Sequence, residues 1–133
     1  MKKRFLHTML RVGDLERSVG FYSDAMGMTQ LRRFDNTEHG YTLVFMGYGQ
    51  EEASTVLELT YNHGTSEYDL GSAYGHIAIG VEDCAAACEQ IRKAGGRIVR
   101  EPGPLKGGDD YIAFAEDPDG YRIELIERSA NWF

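Results

Sequence analysis

The chain has 133 residues, 42% hydrophobic and 26% charged, a balance that fits one compact domain and excludes a disordered acidic tail. No apolar run approaches the roughly 20 residues of a membrane span, and a formal charge of −7 repels phosphate backbones, so neither membrane nor nucleic acid is an expected partner. Met1-Lys2-Lys3-Arg4 is basic, but His7, Arg11 and Asp14 break the apolar stretch after it; that start is too polar for a signal peptide, and a cytoplasmic location is expected.

In chain order, His7–Val12 is short, apolar and partly β-branched, the pattern of a strand. Asp14 is placed to cap a helix whose apolar positions Leu15, Val19, Tyr22 and Met26 recur at helical spacing. Gly27 can take the left-handed conformation that ends it. Strands are predicted at Met28–Phe34, Tyr41–Tyr48 and Thr55–Tyr61, separated by the turn-rich stretches Asn36–Gly40 and Gly49–Ser54. Residues 63–73 are polar and glycine-containing and read as a linker. Beyond it come a strand at Tyr74–Val81, a helix capped by Asp83, and strands at Arg97–Glu101, Asp110–Glu116 and Tyr121–Glu127. Asp117-Pro-Asp-Gly120 is a turn between the last two, since proline presets φ and glycine permits a positive φ. Cys84, Ala87, Cys88 and Ile91 form the predicted buried stripe of the second helix. The two cysteines are read as small packing groups rather than a disulfide.

The same elements occur twice. His7 and His76, Asp14 and Asp83, and Gly27 and Gly96 are all related by one common offset in the numbering. The expected fold is therefore α+β, two tandem βαβββ modules within one domain spanning 1–133, with repeats at about 1–62 and 74–133. A four-stranded sheet with one helix covers only one of its faces. Homodimerisation is the economical way to close the other.

The repeat also brings ionisable groups into correspondence. His7 and His76 stand at matching points of the first strands. Glu58 in Val56-Leu-Glu-Leu-Thr60 and Glu124 in Arg122-Ile-Glu-Leu-Ile126 stand in the last strands, at an offset only slightly shorter than that of the histidines. Strand alternation sends Leu57, Leu59, Ile123 and Leu125 to one face and both carboxylates to the other. A single histidine or glutamate in a strand is most often a surface or satisfied core group. Two of each at repeat-equivalent positions point to a metal site, because two nitrogen and two oxygen donors suit a borderline divalent transition ion and leave room for two waters in an octahedron. His39 and His63 fall in turns and are read as solvated.

The stretches His7-Thr-Met-Leu-Arg-Val-Gly-Asp-Leu-Glu-Arg-Ser18, Val56-Leu-Glu-Leu-Thr-Tyr-Asn62, Tyr74-Gly-His-Ile-Ala78 and Asp117-Pro-Asp-Gly-Tyr-Arg-Ile-Glu124 resemble the glyoxalase I (lactoylglutathione lyase) family of the vicinal oxygen chelate superfamily, in its short bacterial form. The resemblance runs over almost the whole chain. It implies that His7, Glu58, His76 and Glu124 are metal ligands, one His–Glu pair from each subunit of a homodimer meeting at the interface. It implies a lyase that converts the hemithioacetal of methylglyoxal and glutathione to S-lactoylglutathione through an enediolate, with Glu124 as principal base and Glu58 as its near-symmetric counterpart. Zinc-preferring members are longer and carry glutamine at the first ligand position. His7 and the short length therefore imply nickel or cobalt, with zinc possible.

Glutathione carboxylates need donors. Arg11 lies four residues after His7 and Asn62 four after Glu58, so alternation puts each on the ligand face. Lys106 lies in the glycine-rich Gly103–Gly108 loop, which lacks the spacing of a phosphate-binding loop. Some members have an arginine four residues before the third ligand; this chain has Ser72 there. Alternatives within the superfamily are epimerases, thiol transferases and the longer ring-cleaving dioxygenases, which usually present three protein ligands; a different class is the metal-free drug-binding module, which has no need of all four.

Overall fold

The computed structural model describes residues Met1–Phe133. The chain divides into two units, Met1–Asp69 and Leu70–Phe133. In unit one the order is β1 (His7–Arg11), α1 (Leu15–Gly20) continued by a π-helical turn (Phe21–Ala25), β2 (Thr29–Asn36), β3 (Tyr41–Gly47) and β4 (Val56–Asn62). In unit two it is β5 (Ile77–Val81), α2 (Cys84–Lys93), β6 (Arg97–Pro104), β7 (Tyr111–Glu116) and β8 (Arg122–Glu127), followed by a 3₁₀ turn at Ala130–Trp132. Each unit is thus βαβββ. No helix is long and apolar enough to cross a membrane.

The sheets have the same topology, β1-β4-β3-β2 and β5-β8-β7-β6. The first and last strands of each unit pair in parallel, which requires a crossover; α1 and α2 belong to those crossovers. The remaining pairs are antiparallel. Both second strands carry a bulge at a corresponding place, between Gln30 and Arg32 and between Ile98 and Arg100.

The helices start where their caps dictate. Asp14 accepts from the Arg17 backbone N–H at 3.1 Å, and Asp83 from that of Ala86 at 2.9 Å. Gly27 has φ +71° and ends the first helical segment in the expected left-handed conformation. That segment nevertheless differs from its counterpart. Phe21 and Tyr22 are adjacent, both buried, and packed edge to face at 5.1 Å; the backbone widens there, with Met26 N–H bonding back to the Phe21 carbonyl. The corresponding residues of α2 are Gln90 and Ile91, of which only Ile91 is buried, and that helix stays regular. Cys84 and Cys88 are fully buried and unpaired in a disulfide, while Ala87 is only half-buried. Burial pushes the Cys84 thiol up to about 11, as expected of a packing group.

Three connections depart from expectation. β5 begins at Ile77 rather than Tyr74, so His76 immediately precedes its strand whereas His7 opens β1. β6 runs on to Pro104 because the Arg100 guanidinium donates to the carbonyls of Gly103, Pro104 and Ile112 at 2.8–3.1 Å, tying the strand end to β7. The beginning of the predicted linker packs against unit one. A Cβ on Gly13 would lie 2.0 Å from the Ser66 carbonyl oxygen, so only glycine lets that segment cross the β1–α1 turn.

Replacing Asp83 with alanine removes the α2 N-cap while leaving the buried Cys84, Cys88 and Ile91 in place. The expected loss is about 1 kcal/mol of unfolding free energy, read as a lower urea midpoint with unchanged slope.

Candidate functional site

Alternation separates the two faces of each sheet as expected. On β4, Leu57 and Leu59 are buried beneath the helix-bearing face; on β8, Ile123 and Leu125 are completely buried. Glu58 and Glu124 therefore point to the opposite face. In the parallel pairing of unit one, Glu58 stands beside Met9, and β1 sends His7, Met9 and Arg11 to the same side. In unit two, Glu124 stands beside Ala78, two residues after His76.

The result is two near-identical pairs. His7 Nε2 lies 3.1 Å from Glu58 Oε1, and His76 Nε2 lies 3.3 Å from Glu124 Oε1. The imidazoles are 38% and 42% exposed and the carboxylates 13% and 15%, so each pair has a sheltered oxygen donor and an accessible nitrogen. Each pair offers one imidazole nitrogen and one carboxylate oxygen, the donor types of a divalent transition-metal site. A pair supplies only half of a four-ligand set, and nowhere in the chain do three or more histidine, cysteine or acidic side chains gather into a group able to hold an ion.

An aromatic ring supports each histidine. His7 meets Phe45 edge to face at 5.5 Å, and His76 meets Phe114 in the same way at 5.4 Å. Phe45 pairs with Glu58 across β3 and β4, and Phe114 with Glu124 across β7 and β8. Neither phenylalanine is among the residues that motif reading picks out; the signal that marks them is that they share the offset of the two histidines. The bulged strands then place an arginine opposite each ring. The Arg32 guanidinium lies 3.8 Å from the Phe45 ring centroid and donates to Glu51 at 2.6 Å, which holds the Glu51 carboxyl below its usual range. Arg100, opposite Phe114, instead satisfies backbone carbonyls.

The two carboxylates differ in the side chain two residues further along their own strand. Thr60, buried on β4, donates its hydroxyl to Glu58 Oε2 at 2.8 Å. Ile126 occupies the corresponding place two residues after Glu124 and has no side-chain donor.

The remaining candidates are distributed unevenly. Arg11 is exposed, on the His7 face, paired in register with Thr60. Asn62 ends β4 on the Glu58 face, and its amide donates to the Tyr68 hydroxyl at 3.0 Å. Lys106 lies on an exposed turn between β6 and β7, with no hydrogen bond or ion pair to His76 or Glu124. Ser72 is exposed in a turn before β5. His39 is an exposed turn residue as expected. His63 is not simply solvated: its Nε2 lies 2.9 Å from the buried Thr42 hydroxyl, which donates to Asp35.

The chain is similar in sequence and fold to known proteins. The chain is 60% identical over 124 residues to the lactoylglutathione lyase of Salmonella typhimurium, covering 93% of this chain and 92% of that one. It superposes on glyoxalase I from Zea mays with a TM-score of 0.92 at 48% identity, covering 95% of this chain but only 45% of the maize chain. The trypanothione-dependent glyoxalase I of Leishmania major matches with a TM-score of 0.85 and 52% identity, over 95% of this chain and 87% of that one. The profile of the Glyoxalase/Bleomycin resistance protein/Dioxygenase superfamily matches residues 4–125, and the chain belongs to that family.

Proposed function

We propose that this protein is a metal-dependent lactoylglutathione lyase that isomerises the hemithioacetal of methylglyoxal and glutathione to S-lactoylglutathione. The observation that carries the proposal is the pair of repeat-equivalent His–Glu contacts, at 3.1 and 3.3 Å, on the faces turned away from the helices. The 60% identical Salmonella typhimurium lyase supports the choice of reaction. His7 and Glu58 of one chain, together with His76 and Glu124 of a second copy, would complete the ligand set in a cytoplasmic homodimer. The preferred ion is nickel or cobalt, with zinc as the next choice. The two repeats act as one glyoxalase-like domain.

The reaction needs no external oxidant. C1 is oxidised and C2 reduced within the substrate as one proton leaves C1 and one is delivered to C2, while the hydroxyl proton passes from the C1 oxygen to the C2 oxygen. When bound, a divalent ion supplies Lewis-acid stabilisation of negative charge on the substrate oxygens. The protein supplies the rest. Glu124 takes the C1 proton and returns it at C2, and Glu58 is its counterpart on the other unit. The sheltered position of Glu124 suits this role, because it limits the water that would compete for the proton. Phe45 and Phe114 keep the imidazoles turned towards the carboxylates and present apolar surface beside them. Arg11 offers a guanidinium to a glutathione carboxylate, and the Asn62 amide offers a polar contact on the same face. Lys106 provides a second cation from the β6–β7 turn.

Chelated protein re-supplied with Ni²⁺, Co²⁺ or Zn²⁺ tests the reading. Thioester formation from methylglyoxal and glutathione is expected to vanish on chelation and to return most fully with Ni²⁺ or Co²⁺; a chelated protein that keeps full turnover refutes metal dependence. The Leishmania major relative makes trypanothione the informative control thiol.

Glu124→Gln keeps the shape of the side chain and removes its basicity. Turnover is expected to fall about 10²–10⁴-fold, with an unchanged circular dichroism spectrum. Arg11→Ala is expected to raise KM for the glutathione adduct about tenfold or more with a smaller change in kcat, since it removes a charge-assisted contact to a non-reacting part of the substrate.

A further inference from the structure

The two His–Glu pairs correspond in distance, exposure and aromatic support, yet an isomerisation that uses one principal base requires their carboxylates to behave differently. The polar surroundings within each unit supply a difference. Glu58 has both oxygens engaged: Oε1 faces His7, and Oε2 accepts the Thr60 hydroxyl at 2.8 Å. Thr60 is itself fixed, being buried on β4 between Arg11 of β1 and Leu43 of β3. In unit two the same register places Ile126 beside Gly80, and Glu124 Oε2 receives no such bond. The presence of this one bond traces to threonine against isoleucine at corresponding strand positions.

We propose that Thr60 is a positioning residue that locks Glu58 in its ligating orientation, and that Ile126 leaves Glu124 as the carboxylate able to turn towards substrate. This rests on the metal-dependent lyase reading and adds to it a reason, internal to this chain, for the division of roles between the two glutamates. A hydroxyl donating to a carboxylate resists rotation of that carboxylate, because turning breaks a charge-assisted bond within a sheltered part of the sheet. A branched apolar side chain offers no such restraint.

The test uses the whole protein loaded with Ni²⁺ and compares Thr60→Val, Thr60→Ser and Ile126→Thr. Ni²⁺ affinity, measured by competition with a chromophoric chelator, is expected to weaken about tenfold in Thr60→Val and to recover in Thr60→Ser, which restores the hydroxyl. Ile126→Thr is expected to tighten Ni²⁺ binding and lower kcat without raising KM, because it ties Glu124 down in the same way. In a Glu124→Gln background, Thr60→Val is expected to raise the residual turnover several-fold by releasing Glu58. Unchanged affinity in both Thr60→Val and Ile126→Thr, with unchanged residual turnover in the double variant, overturns the proposal. If Thr60→Val fails to fold, the affinity and kcat of Ile126→Thr decide alone, since that substitution adds the bond rather than removing it. A wild-type protein that neither binds Ni²⁺ nor forms the thioester overturns the lyase reading itself, an outcome distinct from variants that merely match an active wild type.

Discussion

Everything at the candidate site depends on the parallel pairing of the first and last strands of each unit. That pairing brings His7 beside Glu58 and His76 beside Glu124, although most of a repeat separates the partners along the chain. Parallel strands cannot be joined by a tight hairpin, so α1 and α2 lie in the connections and cover one face. Burial of Leu57, Leu59, Ile123 and Leu125 then fixes which face the acids take. A one-residue slip of β4 or β8 would bury a carboxylate and expose leucine or isoleucine, so the packing of the core enforces the chemistry of the opposite face.

Duplication preserves this core arrangement while allowing the units to diverge where packing permits. The histidines and the supporting phenylalanines keep one common offset, whereas the two glutamates stand slightly closer together in the chain. The difference lies in one place: the β3–β4 connection, residues 48–55, is longer than the β7–β8 connection, residues 117–121. The shorter connection is held by Asp117, whose carboxylate accepts from the backbone N–H groups of Asp119 and Tyr121, with Gly120 at φ +92°. Phe21 and Tyr22 demand a widened helical turn that Gln90 and Ile91 do not. Surface loops and helix interiors therefore absorbed change that the paired strands could not.

The polar environments of the two units have diverged as well. Unit one places Arg11, Thr60 and Asn62 on the Glu58 face; at the places of Arg11 and Thr60, unit two has Gly80 and Ile126. Gly80 lies close beneath the Phe133 ring, with 3.7 Å between that ring and the position a Cβ would take. At the place of Asn62, unit two has Arg128, paired with Asp110 at 2.7 Å, so both halves keep a charged side chain while the hydroxyl on the carboxylate belongs to unit one alone.

The amino-acid sequence alone determined the features that obey short-range rules. Asp14 and Asp83 announce helix starts because a side-chain oxygen can meet the first unbonded N–H groups. Alternation around Glu58 and Glu124 announces which residues face the core, and the repeated offset announces that two units share a plan. Other features were decided only by tertiary structure: the bulges that place Arg32 and Arg100 opposite the phenylalanines, the run of β6 to Pro104 held by Arg100, the approach of Ser66 to Gly13, and the Thr60 hydroxyl on Glu58. Each of these depends on which strand lies beside which, and in what register. That information resides in contacts between distant residues, where periodicity and local propensity carry no signal.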